Sequence, residues 1–509
     1  MPEYKSPGVY IEEVDRGTKP IEAAGTSMTA FVGITAEASV KQIDPGTGER
    51  VPVRSVLNKP TLVTSWTQFV GIFGDFIPGA YLPDSVYGYF ANGGGACYVI
   101  SLRALKEGGG EVVNASTTVP TKGRGSSFKV VTKAAGPSDL TVVVKAEEED
   151  TFSVAVGGET KTGLTMKKGE ANYVGDAAFT AVDITGVGSA TALPTEGTYA
   201  LSGGGISPLT ADDFVGDVAD RTGIAGLEAI DEVRLLVAPD VMAGYDGSDA
   251  AKERVKMVQE AMITHCESLK YRFAILDAPP GLNAQQAQEW RQYINFDTSY
   301  AALYYPWIRV ADLSGSGSTS KLVPPGGHMA GIYNRTDAER GVHKAPANEV
   351  VRGAIDLELR LSKGEQDTLN PIGVNCIRTF PGRGIRVWGG RTLSSDGSWR
   401  YINVRRLFIM AEASLDVGLQ WVVFEPNDRM LWARVRRDVT SFLRTVWLGG
   451  ALFGSTPDEA FYVKCDDELN PPEIRDLGQL IIEVGMAPVK PAEFVIFRIS
   501  QWAGANAEA

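Results

Sequence analysis

The segment from 235 to 310 alternates short apolar stretches with amphipathic ones, and this alternation constrains the fold more than any other feature of the 509-residue chain. The predicted strands are 235–238, 273–276 and 299–310, and the predicted helices are 251–270 and 284–294. Asn283 precedes the second helix as an N-cap residue, and the first helix carries its apolar residues at helical spacing. This order predicts a βαβαβ unit, hence a parallel sheet covered by helices.

Short apolar segments also occur before and after this unit, and they predict additional strands and helices. The further predicted strands are 29–35, 97–101, 385–388, 421–424, 461–465, 480–484 and 494–499, and the further predicted helices begin near 65, 84, 404 and 428. Between the glycine runs at 108–110 and 203–205, alternating segments separated by turn residues predict antiparallel β-structure. We interpret this stretch as an inserted surface domain.

Together these patterns predict a multidomain chain of mixed α/β and α+β class. A mixed-sheet core is expected from the N- and C-terminal parts, with one inserted α/β module that holds the parallel sheet and one inserted, mostly β surface domain. The expected divisions are an N-terminal arm and linker at 1–25, the first part of the core at 26–103, the β-rich insert at 104–206, the α/β middle domain at 207–345, and the C-terminal core domain with its terminal strand at 346–509.

Both end regions of the sequence read as strands without partners of their own. Residues 7–14 look extended and precede a polar stretch, 15–25, that we interpret as a hinge. Residues 494–499 are apolar on both alternating faces, as expected of a strand buried inside a sheet. Because an unpaired strand can join a neighbouring molecule's sheet, we predict a polymer subunit. The expected inter-subunit strands contain Val9, Tyr10, Ile11, Val14, Phe494, Val495, Ile496, Phe497 and Ile499.

Charge and cysteine content exclude several classes of partner. With 62 acidic and 49 basic residues the net charge is −13, which disfavours nucleic acid and anionic membranes. Four scattered cysteines predict neither a zinc site nor a disulfide framework. The start of the sequence has no apolar signal core, and the longest apolar stretches are too short to span a bilayer, so we expect assembly in the cytoplasm without membrane insertion.

Two groups of polar residues could in principle support catalysis. Asp240 and Asp277 follow predicted strands, where open parallel sheets bind ligands, but their neighbours are mainly Pro, Gly and Ala, so we interpret both as turn or capping residues. The second group contains His328, Asp337, Glu339, Arg340 and His343. There the stretch 336–339 reads as a capping arrangement that starts a new turn, which favours a structural role.

The Ser- and Gly-rich stretch 314–321 lacks the glycine that precedes the lysine of a phosphate loop, so we interpret it as a flexible loop. We therefore predict no catalytic residues, no cofactor and no metal. A hydrolase that uses Asp240, Asp277 and the 328–343 region stays open as the less favoured alternative.

Four segments, in chain order, resemble contractile tail sheath proteins, which occur in contractile-tailed phages, bacteriocins and extracellular injection systems. They are PGVYIEE at 7–13, VPPGGHMAGIYNRTDAERGVHKAPAN at 323–348, PGRGIRVWGGRTL at 381–393 and APVKPAEFVIFRI at 487–499. The resemblance implies a structural protein that stacks as hexameric rings around an inner tube and contracts to drive the tube through a target envelope. It does not cover the insert at 104–206.

The same resemblance implies that one neighbour's N-terminal arm and another's C-terminal strand complete each core sheet. It also implies further partners, namely the inner tube protein, a baseplate, and tail terminator or cap proteins, within a phage tail or a released extracellular particle. The middle module is expected to resemble a subtilisin fold, although no Ser-His-Asp set can be placed in it. A non-contractile shell or adhesin polymer remains an alternative, because it could use the same strand exchange.

The helix predicted from Asp428 carries two distinct faces. Leu431, Val435, Val439, Phe442 and Val446 form an apolar stripe. Arg429, Arg436, Arg437 and Arg444 fall within an arc of about 100° on another side. In an acidic chain this basic face predicts a contact with an acidic inner-tube surface, and a solvated or internally paired face is the alternative.

Overall fold

The computed structural model describes residues 21–44, 46, 50–107, 112–122, 125–135, 140–147, 150–201, 205–206, 208–314 and 319–498. This part of the chain divides into two compact units. The larger contains residues 25–409 and 490–498, and the smaller contains residues 21–24 and 410–489. The predicted arm at 7–14 and most of the predicted hinge lie outside the described residues.

The chain forms strands and helices throughout both units. In chain order the strands are β1 Thr29–Thr35, β2 Ser39–Ile43, β3 Arg50–Ser55, β4 Thr61–Val63, β5 Cys97–Ala104, β6 Val112–Pro120, β7 Ser126–Ala135, β8 Thr141–Ala146, β9 Thr151–Val156, β10 Glu159–Thr165, β11 Val182–Thr185, β12 Gly197–Ala200, β13 Gly205–Ile206, β14 Leu235–Val237, β15 Phe273–Asp277, β16 Ala301–Tyr305, β17 Ile308–Ala311, β18 Ser320–Val323, β19 Ala354–Leu357, β20 Val374–Phe380, β21 Gly384–Val387, β22 Phe461–Lys464 and β23 Glu483–Met486. The α-helices are α1 Trp66–Phe73, α2 Leu82–Ala91, α3 Ala211–Val215, α4 Asp249–Leu269, α5 Ala284–Ile294, α6 Gly326–Arg340, α7 Lys363–Leu369, α8 Ile402–Gly418, α9 Arg429–Leu448, α10 Pro457–Ala460 and α11 Pro472–Asp476.

An eight-stranded mixed sheet organises the larger unit. Its strand order is β21-β20-β16-β15-β14-β1-β5-β4. The six inner strands run parallel, and β21 and β4 pair antiparallel at the two edges. The predicted βαβαβ unit is confirmed within this sheet, because β14, β15 and β16 are neighbours joined through α4 and α5. Parallel strands covered on both faces read as nearly continuous apolar runs, as β1 does with all seven residues buried.

Two apolar clusters cover the two faces of this sheet. Ala30, Val32 and Ile34 of β1 belong to the cluster that holds residues of α4 and α5. Phe31 belongs to the other cluster, which holds residues of α1, α2 and α6. Successive side chains of a strand point to opposite faces, so β1 contributes to both. The result is a three-layer arrangement with the sheet in the middle.

The sheet corrects one part of the predicted architecture. We expected a terminal mixed core with a separate parallel-sheet module inserted in it. Instead β1, β4 and β5 of the 26–103 segment, β14 to β16 of the middle segment, and β20 and β21 from beyond 345 share one sheet. The pairing of β1 with β14 crosses the predicted boundary directly. Local sequence periodicity cannot show this, because it carries no information on which distant strands become neighbours.

The insert folds as antiparallel β-structure, as predicted. Its two four-stranded sheets have the orders β10-β9-β8-β12 and β11-β7-β6-β13. Both contribute to one apolar core, in which Phe128 and Phe152 stack with ring centroids 6.0 Å apart. The first and last strands pair with each other, Val113 opposite Gly205. The insert therefore begins and ends at the same place.

The smaller unit is built around α9, which packs against β22, and β22 pairs with β23 in a two-stranded sheet. Asp428 caps α9, because its carboxylate accepts a hydrogen bond from the Leu431 amide at 2.8 Å. The predicted helices near 404 and 428 are confirmed as α8 and α9. The predicted strand at 421–424 is wrong, since Gln420–Val422 forms a 3-10 helix.

Candidate assembly surfaces

Helix α9 presents the two faces that its sequence predicts. All five residues of the predicted apolar stripe are buried. Arg429, Arg437 and Arg444 are exposed, and Arg436 is half-buried. The helix has one acidic residue, Asp438, which is buried. Of the seven Lys and Arg residues between 410 and 489, five lie on α9, so its exposed face concentrates the positive charge of this unit.

The arginines differ in how far they are committed to partners within the unit. Arg436 donates from Nη1 to the Cys465 carbonyl, so it supports the end of β22. Arg429 pairs with Asp467 at 3.0 Å, but both side chains are largely exposed, and such pairs are weak. Sequence reasoning missed Arg434, which lies 6.0 Å over the Trp421 ring. Its position on the helical wheel, next to the arc of the others, was the signal that could have found it.

The segment 494–498 exposes a continuous apolar run. The exposed fractions are 70% for Phe494, 69% for Val495, 80% for Ile496 and 84% for Phe497. In the described part of the chain these residues belong to no helix or strand. Contiguous apolar surface of this kind commonly marks an interaction site. The predicted burial of this strand is not found within one chain, and the other predicted exchange residues, Val9, Tyr10, Ile11, Val14 and Ile499, lie outside the described residues.

The two-stranded sheet of the smaller unit has open edges. β22 and β23 pair antiparallel, with Phe461 opposite Met486 and Lys464 opposite Glu483. Among the described residues neither strand has a second strand neighbour. An isolated two-stranded sheet is marginally stable, and its free edges can accept further strands. This sheet is therefore a possible acceptor for an added strand.

The two candidate carboxylates have structural partners. Asp240 accepts hydrogen bonds from the Ile34 amide at 2.6 Å and from the Tyr81 amide. It lies where β14 and β1 end, the position at which the chain reverses its direction of sheet growth and where open sheets place their ligands. Burial raises the pKa of Asp240 to about 7. The chain's own backbone occupies this carboxylate, which is 1% exposed.

Asp277 has a comparable supporting role. Its carboxylate accepts a hydrogen bond from the Gly326 amide at 2.8 Å, at the start of α6. Burial raises the pKa of Asp277 to about 7, against the lowering effect of that hydrogen bond. A side chain at Gly326 would meet the Asp277 carboxylate, with a Cβ only 2.7 Å from Oδ2. The interpretation of Asp240 and Asp277 as turn and capping residues agrees with these contacts.

The group from His328 to His343 does not converge on one site. His328 is buried against α2, where a Cβ on Gly88 would lie 2.2 Å from its ring. Burial lowers the pKa of His328 to about 4, so the ring is neutral. Glu339 and Arg340 are exposed, and His343 is half-buried. The predicted new turn at 336–339 is wrong, because these residues continue α6 and Thr336 is buried inside it.

The glycines of the same segment make α6 a close-packing surface for α2. A Cβ on Gly327 would lie 2.4 Å from the Ser85 carbonyl oxygen, and a Cβ on Gly331 would lie 2.4 Å from the Tyr89 carbonyl oxygen. The helices can therefore approach at these positions only with glycine. Lys321 ends the predicted loop 314–321 and lies in β18, and it pairs with Asp84 of α2 at 2.8 Å. The glycines and the Lys321–Asp84 pair of this region thus serve packing against α2.

A buried ion pair holds the beginning of the larger unit. Arg406 of α8 donates to both carboxylate oxygens of Asp337, at 2.8 and 2.6 Å, and to the Thr26 carbonyl at 2.9 Å. The Thr26 hydroxyl donates to Asp337 at 2.5 Å. The Arg406 and Asp337 side chains are 3% and 6% exposed. Sequence reasoning placed Asp337 in a catalytic-looking cluster and missed Arg406, which is 69 residues away.

The described ranges contain neither a metal-binding cluster nor a membrane-spanning helix. Their His, Cys, Asp and Glu side chains form no group of three or more that could hold a metal ion. Over the same residues, every helix is too short or too polar to cross a membrane.

Comparison with known proteins identifies the family. Residues 222–393 match the phage tail sheath protein central domain, and residues 394–501 match the phage tail sheath C-terminal domain. Both are domains of structural tail proteins, and together they cover more than half of the chain. The chain belongs to the phage tail sheath protein family.

Individual relatives agree with this assignment. The chain is 24% identical to the tail sheath protein of Vibrio phage KVP40 over 59% of its length, and 27% identical to that of Burkholderia phage BcepMu over 56%. These matches span 46% and 60% of the two relatives, so the chain corresponds to about half of their length. The anti-feeding prophage helical sheath, solved in its contracted state, matches with a TM-score of 0.60 and 25% identity, covering 98% of this chain and all of that one.

Proposed function

We propose that this chain is the subunit of a contractile sheath, which polymerises as stacked hexameric rings around an inner tube and contracts to drive the tube through a target envelope. The observation that carries the proposal is the exposed apolar run 494–497 in a member of the tail sheath family. Four large apolar side chains in water are unfavourable, and burial in another copy removes that cost.

The two-stranded sheet of the smaller unit supports a proposal for where the exchanged strand binds. We propose that residues 494–499 of one copy, and residues 9–14 of another, extend the sheet of β22 and β23 in a third. Added strands would satisfy the open main-chain edges and cover the apolar run at once. The covalent link between each exchanged strand and its own subunit body would then keep the array connected while the bodies rearrange. A heterologous contact that does not close on itself builds a helical polymer, as a sheath requires.

Electron microscopy of the purified, assembled chain tests the proposal. Striated cylinders of two lengths and diameters are expected of a contractile sheath. Fixed filaments would support the shell or adhesin alternative, and monomers with activity lost in Asp277→Asn would support a hydrolase. The double variant Phe494→Asp, Ile496→Asp should abolish polymers but leave the monomer folded, because both side chains are exposed in one chain. Normal polymers from this variant would contradict strand exchange.

The basic face of α9 supports a contact with the inner tube. We propose that exposed arginines at 429, 437 and 444 meet an acidic tube surface, with Arg436 contributing less because it binds the Cys465 carbonyl. Arg437→Glu with Arg444→Glu should prevent sheath assembly on tubes without unfolding the chain. The exposed pair Arg50→Glu and Arg54→Glu on β3 is the matched control. Equal assembly on tubes by both double variants would refute this assignment.

The wider setting follows from the same proposal. The relatives are tail proteins of phages, and solved structures of similar fold come from the anti-feeding prophage and its baseplate. We propose assembly in the bacterial cytoplasm, baseplate and tail terminator or cap proteins as partners, and a place in a phage tail or a released extracellular particle. The arm and linker at 1–25 and the subtilisin-like character of the middle region remain predictions, whereas the core and middle segments share one sheet.

A further inference from the structure

The residue immediately before the exposed apolar run is held by a dense set of hydrogen bonds. Glu493 Oε1 accepts from Arg391 Nε at 2.8 Å and from Asn370 Nδ2 at 2.7 Å. Glu493 Oε2 accepts from Arg391 Nη2 at 2.7 Å and from the Tyr401 hydroxyl at 3.0 Å. Two parallel bonds between a guanidinium and a carboxylate fix orientation as well as distance. Each oxygen of this carboxylate therefore accepts two hydrogen bonds.

The partners of Glu493 are themselves fixed to the eight-stranded sheet. The Arg391 amide donates to Asn375 Oδ1 at 2.8 Å, and Asn375 Nδ2 donates back to the Arg391 carbonyl at 2.8 Å. Asn375 lies in β20 and is fully buried. Tyr401 forms a β-bridge with Arg391. The main-chain amide and carbonyl of Arg391 thus both bind the Asn375 side chain in β20, and this fixes the partner of Glu493 to the sheet.

Burial separates this pair from ordinary surface pairs. The Arg391 and Glu493 side chains are 10% and 17% exposed. Burial alone would raise the pKa of Glu493, but hydrogen bonds from Arg391 and Asn370 lower the pKa below its ordinary value. The carboxylate is thus ionised at neutral pH. Its four bonds join segments 92 to 123 residues apart in sequence, so local structure does not require them.

We propose that Glu493 is a positioning residue, which fixes the point and direction at which the inter-subunit strand leaves the larger unit. This inference rests on the proposed exchange of residues 494–499. Because no residue separates Glu493 from Phe494, the donated strand is a direct extension of the body that carries it. Movement of that body is then transmitted directly to the strand, because no linker residue lies between Glu493 and Phe494. Fixing the residue at its base also restricts the directions that the strand can take before it binds, which lowers the entropy lost on capture.

A spin label on the strand tests this inference in the unassembled full chain. Val495→Cys supplies the label site, since Val495 is 69% exposed and all four native cysteines are buried. Glu493→Gln and Arg391→Met should each shift the label's spectrum towards narrow, fast-motion lines. Tyr401→Phe removes one hydrogen bond and should give a smaller shift in the same direction. Glu473→Gln, an exposed position with the same charge change, should give no shift.

Assembly supplies the second measurement. Loss of preorganisation in Glu493→Gln should raise the critical concentration for polymer formation about tenfold, which corresponds to about 1.4 kcal/mol. Polymers should still form, since the apolar run is unchanged. An unaltered label spectrum in Glu493→Gln, or an unaltered critical concentration, overturns the positioning role. If the proposed strand exchange is wrong, the double variant Phe494→Asp, Ile496→Asp will form normal polymers. The label spectrum does not depend on that outcome, because it is measured in the unassembled chain.

Discussion

Replacing Arg406 by methionine should destabilise the larger unit severely. Methionine keeps much of the side-chain volume but removes the hydrogen bonds to Asp337 and to the Thr26 carbonyl. Asp337 then stays buried with the Thr26 hydroxyl as its remaining donor in this network. Breaking a buried pair by removing one partner costs about 3–5 kcal/mol, because the other charge is left without compensation. We expect a loss of this size in Arg406→Met.

The double variant Arg406→Met, Asp337→Leu separates charge burial from lost packing. It leaves no buried charge, so its loss should be smaller than that of Arg406→Met alone. Arg360→Met is the control for a surface pair. Arg360 binds Asp356 at 3.1 Å but is 71% exposed, and its loss should change stability little.

Native-state hydrogen exchange is the suitable assay, because a chain with two compact units need not unfold in one step. The slowest amides of β1 report the opening free energy of the larger unit. A change below about 1 kcal/mol in Arg406→Met would refute the reasoning, given the expected range for buried pairs. A double variant less stable than the single one would refute it as well.

Three further outcomes follow from the contacts described above. The pKa of Asp277 is raised, so the folded state binds this proton more tightly than the unfolded state does. The free energy of unfolding should therefore fall as pH rises from about 4 to about 7, by up to about 1.4 kcal/mol per pH unit for one carboxyl. Denaturation curves of Asp277→Asn should show a shallower fall over this window, and an identical fall would contradict the assignment. Gly331→Ala should destabilise the folded chain by about 1–3 kcal/mol, because the added Cβ meets the Tyr89 carbonyl. Gly364→Ala in α7 is the control: its Cβ meets nothing within 4 Å, so the same denaturation experiment should show a neutral or stabilising effect. Replacing residues 113–205 by a short Gly-Ser turn should leave a folded chain by circular dichroism, since Val113 and Gly205 are paired; a molten product would show that the insert supports the rest.

Sequence patterns predicted the local elements well where one periodicity dominated. The predicted N-cap Asn283 at the start of α5 is confirmed, and so is the amphipathic α4. The pattern failed at 421–424, where apolar Trp421, Val423 and Phe424 suggested a strand. Phe424 has φ of 69° and is fully exposed, so these residues are apolar for a reason other than burial within the chain.

Contacts between segments distant in the chain could not be predicted from the sequence. The neighbours of β1 in the sheet are β5 and β14, and the residues of β1 alone do not predict which strands pair with it. Asp337 was singled out for the wrong reason, since its partner Arg406 lies on another helix. Glu493 was predicted only as part of a resembling segment, and its four hydrogen bonds come from residues at least 92 positions away. Functional polar residues of this kind are recognisable only once distant segments are brought together.

The single sheet also sets the order of events on the ribosome. Its parallel part is completed only when β20 joins β16, so more than 370 residues must be synthesised before β1 has all its layers around it. Such distant pairings fold slowly, and partly built sheets are prone to stick to one another. The apolar run at 494–497 leaves the ribosome after every strand of the sheet has been made. Translation therefore releases this exposed apolar run only after all the strands of its own subunit's sheet have been made.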